Sequence, residues 1–229
     1  MSTWNSTATS IKIRIQKLLD DAAFETGGAM VDFLLPWANE IVTEICVNIP
    51  IPLHIAKDTT SMVFTTSDEK IVLPTDYLMS DTRFTKVYNS TGDEIDVIGL
   101  EDLRALDATI TDTTTNIYPD YVAIEGGYMY PYPLFAGTLT LQGYYRKPTD
   151  MTVDASVPDL PEANIFNELI VAGVCGKYGF PHLNEAALAK EYYNDNSNPP
   201  SGRFFNILGT FNTLTSGTGT VWGNRGTYY

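Results

Sequence analysis

The sequence predicts an α+β fold: a helical bundle of about four helices, an inserted antiparallel β-meander or sandwich domain, and an extended C-terminal tail. Three observations predict it. Apolar residues recur at helical spacing near both ends of the chain, the period shortens to two between His54 and Pro148, and the composition changes from Pro199 onward. The expected organisation is N-terminal helices over 1–50, a β domain with a short helix over 51–158, C-terminal helices over 159–198, and a tail over 199–229.

The first helix rests on Ile11, Ile15, Leu18 and Ala22 at helical spacing behind the capping candidates Thr9 and Ser10, with Gly27-Gly28 as the break. The second places Leu34, Trp37, Ile41 and Ile45 on one face and ends near "NIPIP"; Pro36 either starts or kinks it. "SMVFTT", "KIVLP", "RFTKVY" and "EIDVI" then read as short strands, separated by "SDE" and "NSTGD", whose residues favour turns. "GLEDLRALD" spaces Leu100, Leu103 and Leu106 for a short helix across an open sheet face. "DYVAIE" and "YMYPY" flank Gly126-Gly127, a connection suited to the positive φ of a tight hairpin, and "TLTLQGYY" alternates with Leu139 and Leu141 on one side. Pro131 and Pro133 lack a donor, which places the end of that strand at a sheet edge or beyond it.

After "DLP", Pro161 suits a first helical turn, and Ile165, Phe166, Leu169, Ile170, Ala172 and Cys175 form a broad apolar face. Gly179 with Pro181 is the expected stop, and Gly173 and Gly176 admit another helix at close range. A last helix starts at Asn184 and carries Leu188 and Tyr192. From Pro199 to Tyr229 there is no Asp or Glu, only two arginines, and aromatic residues scattered among Gly, Thr and Asn. Such a segment rarely buries itself alone but can order against a partner; a tail folded back on its own subunit is the alternative.

Composition narrows the function. At 229 residues with 44% hydrophobic content the chain has the apolar area to fold, and its net charge of −14 opposes broad contact with nucleic-acid phosphates. Neither a secretory leader nor an apolar span of about 18 residues is legible, so a cytosol-like compartment is expected. Cys46 and Cys175 both fall in apolar helical stretches, where a buried thiol is expected rather than a disulfide. His54 and His182 are too few for a histidine-rich metal site, and no G-x-S-x-G, P-loop or dinucleotide fingerprint is present. The carboxylate pairs Asp20-Asp21, Glu101-Asp102 and Glu162 with Glu168 read as solvated faces in so acidic a chain. Tyr128, Tyr144 and Tyr145 read as core side chains exposing only their hydroxyls; a sugar-binding platform or glycan hydrolase using the tyrosine-rich stretch is the alternative. No catalytic residue, metal or cofactor is expected.

The order helices, sheet, helices, odd tail resembles the head-to-tail adaptor proteins of tailed bacteriophages, also called connectors or head-completion proteins. Three patterns carry the resemblance over roughly Ile11 to Asn196. A threonine-rich strand leads to Leu73, Pro74, Asp76 and Tyr77; a hairpin ends in Tyr144, Tyr145 and Pro148; and "DLPEANIFNELIVAGVCGKYG" matches the long third helix. The resemblance implies a homo-oligomeric ring, dodecameric to match the portal protein, through which genomic DNA passes without specific binding. It implies tail nozzle or tail-tube proteins as further partners, no membrane, and a place in the virion after synthesis in the host cytoplasm. It also implies a C-terminal segment in contact with the portal, here Arg203, Phe204, Phe205, Phe211, Trp222, Arg225, Tyr228 and Tyr229. A tail or baseplate structural protein without portal contact is the other alternative.

Overall fold

The computed structural model describes residues 3–5, 10–49, 60–80, 85–113, 118–160 and 164–215. It is α+β, and the chain divides into two units: Met1–Ile49 with Pro148–Tyr229, and Pro50–Lys147.

The first unit is helical. Helix α1 (Ile11–Leu19) buries Ile11, Ile15 and Leu19, and it ends where Asp20 turns left-handed at φ 45°, well before Gly27. Asp21 then caps a 3₁₀ turn (Ala22–Phe24) by accepting from the Ala23 N–H at 2.8 Å. Helix α2 (Leu34–Asn48) holds Pro36 in its first turn, where the missing N–H costs no hydrogen bond, so it starts the helix rather than kinking it. Helix α4 (Asn164–Val174), numbered after α3 of the other unit, runs past the expected stop at Gly179. A π-helical turn (Cys175–Gly179) carries it into Phe180–His182. The reversal comes later, at Asn184 with φ 61°. Helices α5 (Ala186–Tyr192) and α6 (Arg203–Thr215) follow.

Three glycines at three-residue spacing explain how α4 becomes the centre of this unit. A Cβ at Gly173 would stand 2.7 Å from Ile41 of α2, one at Gly176 2.6 Å from Tyr193, and one at Gly179 2.5 Å from Leu19 of α1. The expected close approach therefore occurs inside the subunit. Helix α6 corrects the expectation of an extended tail from 199: residues 203–215 are helical, with Phe204 and Leu208 buried one turn apart. The expected β-domain boundary near 158 also moves. Residues 149–160 belong to the helical unit, where Asn39 exchanges two 3.0 Å hydrogen bonds with the Met151 backbone and the Trp4 N–H donates to Ser156 O at 2.7 Å.

The second unit is a seven-stranded sheet ordered β1-β8-β4-β5-β6-β7-β2, beside a separate β3-β9 ribbon. The strands are β1 (Thr60–Phe64), β2 (Ile71–Val72), β3 (Tyr77–Met79), β4 (Lys86–Tyr88), β5 (Glu94–Ile98), β6 (Tyr121–Glu125), β7 (Tyr128–Tyr132), β8 (Gly137–Gln142) and β9 (Tyr145–Arg146). The sheet is mostly antiparallel but not a simple meander. Strands β5 and β6 pair in parallel, with Val97 opposite Val122, because helix α3 (Leu100–Leu106) forms a crossover between them. That helix lays Leu100 and Leu103 on Ala123 and Leu134, with Tyr130 and Tyr132 packed alongside. Gly126 and Gly127, at φ 58° and 81°, make the β6–β7 hairpin turn. Pro131 faces Val122 of β6, while β2 pairs β7 only at Tyr128 and Met129, so the proline sits where its strand has one neighbour.

Candidate functional site

Two of the three patterns carrying the adaptor resemblance converge at the β3–β9 ribbon of the β unit. Leu73 is buried and its N–H donates to Gly127 O at 3.0 Å; the Pro74 carbonyl then accepts from the Tyr77 N–H at 2.9 Å, closing a turn. That turn presents Asp76. Its carboxylate accepts from the Tyr144 hydroxyl at 3.0 Å and its backbone carbonyl from the Lys147 N–H at 2.7 Å, while Tyr77 packs on Tyr144 with ring centroids 5.5 Å apart. The two motifs, 68 residues apart, are thus one clamp closing the β3–β9 ribbon. Burial raises the pKa of the Tyr144 hydroxyl, and the donation to Asp76 adds to the rise against the opposing bond to Thr60. Tyr144 and Tyr145 are buried, as is Pro148, which opens the chain's return to the helical unit. These are internal side chains rather than a ligand platform.

The residues expected to meet a partner separate sharply. Arg203 is half exposed, donates to Glu168 Oε2 at 3.1 Å and lies over the Tyr192 ring at 5.6 Å. Phe204 is 0% exposed and packs on Tyr193 at 5.2 Å, so this residue belongs to the core of its own subunit. Phe205 is half-buried against Tyr193 at 4.9 Å. Phe211 lies on α6, but its side chain is outside the described residues, as are Trp222, Arg225, Tyr228 and Tyr229 altogether.

A polar cluster on the helical unit went unnoticed in the sequence. Glu40 and Glu44, one helical turn apart on α2, reach α4 and the end of α5. Glu40 accepts from the Tyr178 hydroxyl, and Glu44 accepts from both the Tyr193 hydroxyl and Lys177 Nζ, the latter at 2.8 Å. Trp37 stacks on Tyr178 at 5.1 Å with planes 8° apart. Burial, then the glutamate partners, push both tyrosine hydroxyls well above the ordinary phenol range. Beside the cluster lies an open groove of about 720 Å³ lined by Pro36, Asn39, Glu40, Thr43, Glu44, Val47, Asp150 and Lys177. The i, i+4 glutamates were the available signal; their partners are more than 130 residues away along the chain.

The candidate catalytic groups have structural employment. Glu168 joins α4 to α1 and α6 by accepting from both Arg14 and Arg203. Asp21 is a cap, and Glu101 and Asp102 occupy the first turn of α3, where the helix dipole favours negative charge. His182 meets Phe24 edge-on at 5.7 Å; His54 and Glu162 lie outside the described residues. Burial raises both cysteine thiols to about 12, which leaves them protonated and unreactive near neutrality. Among the described residues, no group of three or more His, Cys, Asp and Glu is placed to hold a metal ion, and no helix is long and apolar enough to cross a membrane.

Part-buried clamps and inter-helix anchors employ these side chains in holding the subunit together, the arrangement of a structural protein. The model of the SU10 adaptor protein family matches residues 6–198, and the chain belongs to that family, a phage head–tail adaptor family. It is a structural adaptor of a phage virion, working through other head and tail proteins. No curated protein matches the chain. The family match stops at Asn198, three residues past Asp195, the last acidic side chain of the sequence.

Proposed function

We propose that this adaptor forms a ring, dodecameric to match the portal, which extends the DNA channel beneath it and offers the platform to which tail nozzle or tail-tube proteins attach. The observation that carries the reading is the family match over 6–198, followed by a C-terminal segment without a single carboxylate side chain. Charge supports the conduit. Each unit carries fourteen acidic against seven basic side chains, a formal −7 apiece, so phosphates sliding past are repelled rather than trapped.

The portal-docking segment is narrower than composition alone suggested. Phe204 and Phe205 hold α6 to its own subunit, which leaves the arm as residues 216–229 together with the far end of α6. Fourteen residues span at most about 50 Å when extended, enough to reach a neighbouring protein. Trp222, Arg225, Tyr228 and Tyr229 are its anchors, and Arg203 sets the start of the helix from which it leaves. Truncation after Thr215, or joint replacement of Trp222 and Tyr229 by Ala, is expected to abolish co-sedimentation with purified portal while circular dichroism stays unchanged. Undiminished binding refutes the docking role, and a complex mass other than twelve subunits per portal refutes the stoichiometry.

A further inference from the structure

The groove on α2 is long enough to hold a segment of chain rather than one side chain. Its floor runs along the helix from Pro36 through Glu40 to Val47, a distance of about 16 Å. Both ends are apolar, since Pro36 is exposed and Val47 is 49% exposed. The middle is acidic. Glu44 is paired with Lys177, but neither Glu40 nor Asp150 has a basic partner among the described residues. The C-terminal arm carries the matching order. Trp222, Arg225 and Tyr228 stand three residues apart, separated by Gly, Asn and Thr alone, and no acidic side chain follows Asp195 to oppose the arginine. A chain extended at three residues per turn sets every third side chain on one side, so the outer two of such a trio lie about 19 Å apart with the third midway. Aromatic, cation and aromatic thus meet apolar end, carboxylates and apolar end at nearly the same spacing.

We propose that the α2 groove cradles the subunit's own C-terminal arm before the portal takes it, with Arg225 between Glu40 and Asp150, Trp222 over Val47 and Tyr228 over Pro36. The inference rests on the portal-docking arm proposed above and adds the surface that holds that arm beforehand. Its polarity follows from where α6 begins. Phe205, in the first turn of α6, packs on Tyr193 at 4.9 Å, and the Tyr193 hydroxyl donates to Glu44, which lies toward the Val47 end of the groove. As helix, Arg203–Thr215 covers about 20 Å. The chain from Thr215 to Arg225 spans at most about 35 Å, so the arm can return to the groove even where α6 leads away from it. A tether of that length keeps the arm at a millimolar local concentration around its own groove, which favours it over the arm of a second copy. An arm lying in the groove is withheld from the portal, so the two sites compete for the same residues.

Disulfide trapping in the full chain, without portal, tests it. The two native thiols are buried, so a Thr43→Cys, Asn224→Cys double variant reports on the new pair and leaves the five contacting residues in place. Mild oxidation is expected to give an intramolecular link, seen as a faster-migrating monomer on a non-reducing gel. It should form about tenfold faster than in Leu188→Cys, Asn224→Cys, whose site on α5 lies outside the groove lining. Within the first double variant, Arg225→Asp and Asp150→Arg each slow the link by about tenfold, and the two charges exchanged together restore it. Saturating portal suppresses it. Equal rates in the two double variants, no rescue by the exchange, or a rate indifferent to bound portal overturns the cradle and leaves portal docking standing. Covalent dimers in place of the intramolecular link overturn it in favour of exchange between copies. A specific intramolecular link in a subunit that portal does not bind overturns the docking role and leaves the cradle standing.

Discussion

The two units are held together in different ways. In the helical unit the polar anchors join residues far apart in sequence: Arg14 to Glu168, Glu40 to Tyr178 and Glu44 to Tyr193 span 154, 138 and 149 positions. In the β unit most are local. Asn89 Oδ1 takes the N–H groups of Thr91 and Asp93, and the Asp107 carboxylate takes those of Thr109, Thr111 and Asp112, which holds it far below the usual carboxylate range. The longer-range exceptions gather around Tyr144, whose hydroxyl meets both Asp76 and Thr60, and beside it Thr85 Oγ1 donates to Gly143 O. One unit is therefore a knot tying the two ends of the chain together, and the other is a continuous insertion whose turns set themselves. Damage to α4, α5 or α6 should propagate through the helical unit, while damage to a β turn should stay where it is made.

The largest effect that sharpens this comparison is expected at Phe204. Replacing this fully buried ring by Ala should cost about 3–5 kcal/mol, read as a lower urea midpoint and loss of helical circular dichroism. A variant that folds normally and fails only in portal binding would show that Phe204 faces a partner after all. Next comes Gly176→Ala. The gain in helix propensity, about 1 kcal/mol, is outweighed because the new methyl meets the Tyr193 backbone N at 2.8 Å as well as two Cβ atoms. Overpacking of this kind typically costs about 1–3 kcal/mol. A stabilised Gly176→Ala protein would break the picture of α4 as the tightly packed centre.

Sequence periodicity located most of these elements because it reports which face of a segment is buried. Leu100 and Leu103 announced α3, and Gly126-Gly127 announced the hairpin. It does not report pairing partners. The parallel match of β5 with β6 depends on where α3 leaves the chain, and no residue within either strand encodes it. Helix α6 was legible in Phe204 and Leu208 but was masked by the Gly and Thr content around them. Gly179 and Pro181 read as a stop because a π turn, which accommodates both, has no simple pattern. The site was harder still. Asp76 and Tyr144 stood out only as parts of a resemblance, and the glutamates of α2 gain meaning only once Tyr178 and Tyr193 are brought beside them.

Tyr193→Phe probes the knot more gently. It removes the bond to Glu44 while keeping the ring against Phe204 and Phe205, and should cost about 1 kcal/mol at neutral pH. Its pH dependence is more telling. A tyrosine whose folded pKa lies above its unfolded value near 10 contributes stability that is complete below pH 10 and is lost as the pH climbs toward the folded value. Tyr178 and Tyr193 both behave this way. The wild-type urea midpoint should therefore fall more steeply between pH 10 and 11 than that of Tyr193→Phe. Parallel slopes would mean that the hydroxyl is not held by Glu44 in solution.

The smallest effect is expected in the β unit, at the ion pair between Lys86 of β4 and Glu94 of β5. Both side chains are well exposed, at 39% and 48%, so water already solvates the charges and ordering two long side chains offsets most of the attraction. Replacing Lys86 by Ala should leave the urea midpoint unchanged within error, in low salt and in 0.5 M NaCl, where screening acts over about 4 Å. Glu168→Gln is the matched change in the helical unit. There one carboxylate, 36% exposed, receives two guanidinium groups from helices at opposite ends of the chain. The loss should be measurable in low salt and smaller in high salt, because each arginine keeps a hydrogen-bonding partner but loses its counter-charge. If the two substitutions proved equally silent, the long-range ion pairs would be decoration, and the knot would be held by the glycine contacts and aromatic packing of α4, α5 and α6 alone.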